Sequence, residues 1–88
     1  MALELYRIIQ ELIGNILKHT NVSIISVGMK MENQHLSLTI VDNGVELEIK
    51  QVHGIGQKTI RQRLQKIKAS ICRYHTQYGK VVKIEMDL

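Results

Sequence analysis

The stretch His35-Leu-Ser-Leu-Thr-Ile-Val-Asp-Asn-Gly44 is the part of the sequence that most directly indicates the architecture. Apolar and polar residues alternate along it, which predicts a β-strand with one face in a core. The period of two puts Asp42 on the inward face, where Asn43-Gly44 ends the strand. Because a carboxylate that faces a core is costly unless it is hydrogen-bonded, two interpretations are open. Asp42 lies at the mouth of a ligand cavity, or it caps its own backbone in an Asp-Asn-Gly turn.

Three further strands are predicted around this one. Residues 24–32 alternate in the same way, and Glu32-Asn33-Gln34 supplies a turn, so a hairpin is expected. Two strands, at about residues 70–76 and 81–88, end the chain. The strand residues predicted to face inward are Ile25, Val27, Met29, Met31, Leu36, Leu38, Ile40, Val82, Ile84, Met86 and Leu88.

Two amphipathic helices are predicted, over about residues 3–19 and 55–68. We expect a two-layer α/β sandwich, with the helices on one face of a mixed, mainly antiparallel sheet, and residues 45–53 as a loop over a pocket. At 88 residues the chain is one domain, 1–88. The helix residues predicted to face inward are Leu5, Ile9, Leu12, Ile13, Ile16, Ile60, Leu64 and Ile67, whereas Arg7, Glu11, Asn15 and Lys18 are assigned to the opposite side of the first helix.

Composition limits the setting and the partners. A lone Cys72 excludes an internal disulfide, and no apolar run approaches the ~18 residues of a membrane span, so we expect a cytoplasmic chain without membrane contact. The net charge is +4, and nine of the 12 Lys and Arg residues lie between Glu48 and Glu85, where no acidic residue occurs. This basic half is a solvated helix face, or it attracts ATP phosphates or an acidic partner. Nucleic acid is disfavoured, because three tyrosines are the sole aromatic residues.

Two further groups of residues suggest chemistry. Glu11 and Asn15 lie one turn apart on the first helix, where a carboxylate and an amide can position a water and a cation. Gly54-Ile55-Gly56 opens the second helix, where backbone N–H groups can cradle a phosphate. Taken singly, these features are equally compatible with a surface carboxylate and a flexible loop end. Together with Asp42 they outline a nucleotide pocket.

These segments resemble, in order, the boxes of the GHKL ATPases, the Bergerat-fold superfamily of gyrase, the ninety-kilodalton heat-shock chaperones and bacterial histidine kinases. Glu11-Leu-Ile-Gly-Asn-Ile-Leu-Lys-His19 is similar to the N box, Asp42-Asn43-Gly44 to the G1 box and Gly54-Ile55-Gly56 to the G2 box. The Lys18-His19 pair is most similar to sensor histidine kinases with a short lid.

The resemblance implies a role for each residue. Asn15 would hold Mg²⁺, Glu11 would polarise the attacking group, and Lys18 and His19 would lie near the phosphates, although a Lys-His pair in a last helical turn also complements the helix dipole. Asp42 would accept a hydrogen bond from the adenine amino group. Gly44 would let the base approach the backbone, and Gly54, Ile55 and Gly56 would present N–H groups to the phosphates.

The implied function is that of the ATP-binding catalytic domain of a two-component sensor histidine kinase. It would donate the γ-phosphoryl group of ATP to a histidine on a separate dimerisation domain, with a response regulator as an indirect partner. His35 in a turn, His53 in the lid and His75 in a strand have no phosphoacceptor context, so the isolated chain is expected to be inactive. The alternatives are a degenerate nucleotide-binding adaptor, an anti-sigma-type serine kinase and a non-enzymatic basic interaction module.

The sequence departs from the family pattern at four places. Glu46 replaces a second G1 glycine, Gln57 a leucine, Lys80 the threonine of a Gly-Thr pair, and Ala69-Ser70 a glycine pair. Because the chain begins almost at the N box, we expect the strand and helix that normally precede it to be missing. These departures bear more on nucleotide affinity than on the fold.

Overall fold

Six elements make up the part of the chain that the structure, a computed structural model, describes, namely residues 2–45 and 55–88. In chain order they are α1 (Ala2–His19), β1 (Ile25–Glu32), β2 (His35–Asp42), α2 (Ile55–Lys66), β3 (Ser70–Thr76) and β4 (Gly79–Asp87). Each of them coincides with a predicted helix or strand. The predicted loop beyond Val45 lies outside the described residues. Neither of the two described helices combines the length and the apolar character that crossing a bilayer requires.

The sheet has the order β1-β2-β4-β3, and its three strand pairings are all antiparallel. The central strands are therefore β2 and β4, which are distant in sequence. The excursion through α2 and β3 places β3 at the edge opposite β1. Because α1 and α2 pack on one face of this sheet, the expected two-layer α/β sandwich is confirmed.

The β1–β2 hairpin turns at the predicted position. Asn33 and Gln34 have φ values of 51° and 65°, the left-handed conformations of a two-residue type I′ turn. The twist of such a turn matches that of the flanking strands, so it fixes the register in which Glu32 pairs with His35 and Ile25 with Asp42. His35 is consequently the first residue of β2, which corrects its assignment to the turn.

The core lies between the two helices and the inner faces of β2 and β4. Burial alternates residue by residue along β2, as the sequence predicts, and it ends with Asp42 buried. The side chains that are almost fully shielded come from both layers. The core consists of Leu5, Ile8, Leu12, Leu36, Leu38, Ile40, Ile60, Leu64, Val82, Ile84 and Met86.

The buried face of α1 is rotated from the predicted one. Ile8 is 0% exposed, although the sequence analysis left it out, whereas Ile13 is half-buried and lies outside the core cluster. The periodicities 5-9-12-16 and 5-8-12 are both helical, and only the position of the second helix chooses between them. Glu11, three residues after Ile8, therefore lies beside the core on the side facing α2 and not on the opposite side of α1.

One prediction of an inward-facing strand residue is wrong, and three others lie on the inner face without being buried. Val27, Met29 and Met31 of β1 pair with Ile40, Leu38 and Leu36 and so lie on the core face of the sheet, yet they are 49%, 59% and 57% exposed, because β1 is an edge strand that the described helices do not cover. Leu88 is 47% exposed, since it follows the last residue of β4. Alternation identified these strands correctly but could not tell which of them lie under a helix.

A Schellman motif ends α2. The N–H of Ala69 donates to the carbonyl of Leu64 at 2.9 Å, and the N–H of Lys68 donates to that of Gln65 at 3.2 Å. Lys68 takes the left-handed conformation, with φ 54°, that this motif usually assigns to glycine. The helix thus ends at Lys66, two residues before its predicted end.

Candidate nucleotide site

The carboxylate of Asp42 lies at the end of β2, and the residue is 3% exposed. Its Oδ1 accepts a hydrogen bond of 2.9 Å from the backbone N–H of Gly44, and the Nζ of Lys80, its partner residue on β4, lies 3.9 Å away. The Gly44 bond is the local turn that the sequence analysis held as an alternative to a cavity wall. The turn is thereby confirmed, and it fixes one oxygen of a carboxylate that remains on the core side, whereas the ligand cavity beside Asp42 stays a prediction.

Gly44 joins the end of β2 to the end of α1. A Cβ at Gly44 would overlap the Oγ1 of Thr20 and lie 2.7 Å from its Cβ. Thr20 is 8% exposed and donates a hydrogen bond of 2.6 Å from its hydroxyl to the carbonyl of Ile16. Thr20 is therefore held in place by the last turn of α1, and Gly44 is required at this position by packing.

Gly79 encloses Asp42 from the other side. A Cβ at Gly79 would overlap the carbonyl oxygen of Asp42, and its φ of 138° belongs to a region that side chains rarely adopt. The β3–β4 turn is therefore packed directly on the backbone of the strand end. Thr20 is absent from the predicted site, and Gly79 is predicted only as the glycine of the Gly79-Lys80 pair, because both residues act through contacts with residues distant in sequence.

The side chain of Asn43 forms hydrogen bonds with the backbone of the segment between α1 and β1. Its Oδ1 accepts hydrogen bonds of 3.0 Å from the N–H groups of both Ser23 and Ile24, and its Nδ2 donates to the Oγ of Ser23 at 2.8 Å. A second amide, that of Asn21, accepts from the N–H of Val45 at 2.8 Å. These bonds fasten the segment between α1 and β1 to the end of β2, so the walls of the site are tied together on this side.

On α1, the predicted site residues differ in their surroundings. Asn15 and His19 are partly buried, and Lys18 is exposed. The Nδ1 of His19 is shielded from solvent and has no hydrogen-bond partner among the described residues. Glu11 is held on the α2 side, where its Oε2 lies 3.9 Å from the Nε of Arg63.

The glycine pair at the start of α2 is described in part. The helix begins at Ile55, so Gly56 falls in its first turn and Gly54 immediately precedes it. Gly54 and Glu46 lie outside the described residues. The first N–H groups of any α-helix have no partner within the helix and carry a positive partial charge, so those of Ile55 and Gly56 suit an anion.

The residues that are described fit a nucleotide with magnesium. The Nδ1 of His19 is shielded and has no hydrogen-bond partner among the described residues. In the Asp42 carboxylate, Oδ1 accepts the hydrogen bond from Gly44, and Oδ2 can accept another. Within residues 2–45 and 55–88 no group of three or more His, Cys, Asp or Glu side chains could hold a metal. Mg²⁺ commonly takes one or two protein oxygens and fills its remaining positions with phosphate and water, which suits a single amide such as that of Asn15.

Residues 2–87 match the model of the HATPase_c family, described as the histidine kinase-, DNA gyrase B- and HSP90-like ATPases. The chain belongs to this family. Among curated proteins, this HATPase_c chain is 29% identical over 86 residues to the sensor histidine kinase LiaS of Bacillus subtilis. The match covers 96% of the chain and 24% of LiaS, so the chain spans about a quarter of that relative.

Solved histidine kinases share the fold of this HATPase_c chain. The histidine kinase domain of the blue-light activated kinase EL346 of Erythrobacter litoralis superposes with a TM-score of 0.77 at 18% identity, over 97% of the chain and 43% of that structure. The kinase AdeS of Acinetobacter baumannii gives a TM-score of 0.78 at 15% identity, over 96% and 45%. The predicted superfamily is thereby confirmed by sequence, and the fold by structure.

Proposed function

We propose that this chain is the ATP-binding catalytic domain of a sensor histidine kinase and that it donates the γ-phosphoryl group of ATP to a histidine on a separate dimerisation domain. It would act as one domain, residues 1–88, within a longer kinase. Family membership supports the ATPase-type site, and the similarity to LiaS favours the sensor-kinase branch. The phosphorylated histidine would in turn supply a response regulator, in the cytoplasm.

The buried carboxylate of Asp42 is the observation that carries this proposal. Its Oδ1 is engaged by the N–H of Gly44, so Oδ2 is the oxygen available to a ligand. A carboxylate accepts hydrogen bonds and does not donate them, so it matches the exocyclic amino group of adenine and repels the corresponding carbonyl of guanine. The close packing of Gly44 on Thr20 and of Gly79 on the Asp42 backbone fixes this acceptor at the sheet end.

The remaining proposed roles concern the phosphates, the magnesium ion and the transfer step. Asn15 would coordinate Mg²⁺ through its amide oxygen, while Lys18 and His19 would contact the phosphates. The N–H groups of Gly54, Ile55 and Gly56 would receive the phosphate oxygens. Glu11, one turn before Asn15, would polarise the attacking group in the transfer. Bound magnesium would neutralise charge that develops on the triphosphate.

The test is a titration of the 88-residue chain with Mg²⁺ and either ATP or GTP, followed by amide chemical shifts. ATP should shift the amides around Asp42, Asn15 and Gly56 at lower concentration than GTP. A hydrogen bond to a charged group contributes roughly 1.5–3 kcal/mol, so Asp42→Asn should weaken ADP binding about 10- to 150-fold. Asp87→Asn, at an exposed position beyond the opposite end of β2, is the matched control. Equal affinity for ATP and GTP would remove Asp42 from this role.

A further inference from the structure

Arg63 of α2 reaches across to α1 and contacts two carboxylates. Its Nη1 lies 3.6 Å from the Oε1 of Glu4, and its Nε lies 3.9 Å from the Oε2 of Glu11. The three side chains are 24%, 23% and 29% exposed, so this ion-pair cluster is largely shielded from water. We infer that Arg63 is a positioning residue that holds Glu11 for phosphoryl transfer, an inference that rests on the function proposed above.

The contact with Glu11 is incomplete. At 3.9 Å the two atoms are too far apart for a hydrogen bond. Both the Oε2 of Glu11 and the Nε of Arg63 are nevertheless buried without a hydrogen-bond partner among the described residues. Such atoms are costly to leave unpaired, and an approach of about 1 Å would satisfy both. Catalytic hydrogen bonds are often long before substrate binds and shorten in the reactive complex, so we expect this one to close when nucleotide binds.

Glu4 explains how Arg63 is held. Glu4 and Glu11 are seven residues apart, which is two turns and about 10 Å along α1, so they lie on the same side of the helix. A planar guanidinium can contact one carboxylate through a terminal nitrogen while its Nε faces another. Glu4 is thus paired with the terminal nitrogen, and Nε is the nitrogen beside Glu11. A lysine has a single nitrogen and no planar fork, so it cannot contact Glu4 through one nitrogen and Glu11 through another.

Glu11 and Arg63 also line an open groove. This groove of about 460 Å³ lies between α1 and α2, and its other lining residues are Arg7 and Gln10. One oxygen of the Glu11 carboxylate is thus buried beside Arg63, while the residue itself borders a space open to solvent. Correct placement of a reacting group can be worth about 100-fold in rate, so a loose Glu11 would reduce turnover more than nucleotide binding.

The direct test follows the Arg63 Nε–H resonance in the 88-residue chain. Saturation with Mg²⁺ and a non-hydrolysable ATP analogue should move this resonance downfield and slow its exchange with water. Glu11→Ala should abolish the change, and Glu4→Gln should leave it in place. If amides around Asp42 shift and the Arg63 resonance does not, the positioning inference is overturned while the nucleotide site stands. If no amide near Asp42 shifts, the proposed function itself fails, and the inference fails with it.

A kinetic test separates positioning from a structural role. With a histidine-bearing dimerisation domain supplied in trans, Arg63→Gln should lower kcat by about 10- to 100-fold and change the KM for ATP by less than about twofold. Lys66→Gln removes an equal charge from the exposed side of the same helix and should change neither constant. Because Arg63 acts through Glu11, Arg63→Gln should cost nothing further in a Glu11→Ala background. Additive losses, or full rescue by Arg63→Lys, would overturn the inference.

Discussion

At the scale of single residues, some groups of the proposed site are assigned to a ligand and others hold the protein together. Asp42 is assigned both roles, because Gly44 fixes one of its oxygens and the proposal assigns the other to adenine. The side-chain oxygen of Asn43 accepts hydrogen bonds from Ser23 and Ile24, and its side-chain nitrogen donates to Ser23, so the middle residue of the Asp-Asn-Gly motif has a structural role. Asn15, in contrast, forms no side-chain hydrogen bond with the other described residues, which leaves its amide oxygen for a metal.

The prediction for Asn15 concerns magnesium. Asn15→Ala removes the oxygen proposed to bind the ion, so ATP binding should lose much of its dependence on Mg²⁺ concentration. Affinity for ADP without metal should change little. Isothermal titrations at several Mg²⁺ concentrations measure both quantities. Gln10→Ala, at an exposed amide on the same helix, provides the control, and a mutant at position 15 with unchanged magnesium dependence would make α1 purely structural.

The sequence predicts the facing of a residue well when that facing depends on local periodicity. The parity of β2 placed Asp42 inward, and its burial confirms that placement. The roles of Thr20, Gly79 and Arg63 escaped prediction because each acts on a residue at least 20 positions away or across an interface between elements. The sequence does not indicate which carbonyl a turn glycine packs against. It also does not distinguish an arginine that forms an ion pair between helices from neighbouring arginines and lysines that face solvent.

At the scale of elements, the C-terminus of α2 carries an avoidable strain. Lys68 adopts a left-handed conformation that costs a residue with a side chain roughly 1 kcal/mol relative to glycine. Lys68→Gly should therefore raise the free energy of unfolding by about 1 kcal/mol. Gln62→Gly, at an exposed position in the interior of the same helix, should lower it by a similar amount. Urea denaturation measures both, and a loss of stability in Lys68→Gly would contradict the strain argument.

A histidine links the ends of β2 and β4 on the sheet face opposite the helices. The Nδ1 of His35 lies 2.7 Å from the Oδ1 of Asp87, and its Nε2 lies 2.8 Å from the Oε2 of Glu85. The hydrogen bond to Asp87, followed by that to Glu85, raises the pKa of His35 above its usual 6.5. The hydrogen bond to His35, followed by the charge of Lys83, lowers the pKa of Glu85 below 4.5.

The pH dependence of stability follows from these two directions. The contribution of His35 is fully present below pH 6.5 and is lost as pH rises through its higher folded pKa, whereas that of Glu85 is present above pH 4.5 and is lost as pH falls through its lower folded pKa. Between these limits both contribute. Proton NMR should give a His35 pKa above 6.5 that falls more in Asp87→Asn than in Glu85→Gln, and His35→Gln should flatten stability above pH 6.5. A larger effect of Glu85→Gln would reverse the assigned order of the two carboxylates.

At the scale of the whole molecule, the chain holds a nucleotide-type site without a phosphoacceptor histidine in a recognised context. Phosphoryl transfer needs an aligned nucleophile as well as a bound nucleotide. The chain alone should therefore form no phosphohistidine from labelled ATP, and adding a dimerisation domain in trans should produce an acid-labile phosphate on that domain. Glu11→Ala should bind ATP but transfer its phosphoryl group at a much lower, still measurable rate. Acid-stable label on a serine protein would favour the anti-sigma-type alternative instead.

The hydrogen bonds of the Asn43 side-chain amide also affect the chemical stability of the protein. In an Asn-Gly dipeptide the glycine nitrogen can attack the asparagine side-chain carbonyl and expel ammonia, which forms a cyclic imide that takes up water to give aspartate or isoaspartate. Here the N–H of Gly44 is engaged by Asp42, and the Asn43 side chain is held by Ser23 and Ile24. These hydrogen bonds restrain both the nucleophile and the side-chain amide, so we expect the folded chain to resist this attack. Deamidation at Asn43 should therefore require local unfolding of this end of the sheet. The rate at which isoaspartate accumulates in storage would then measure how often that local unfolding occurs.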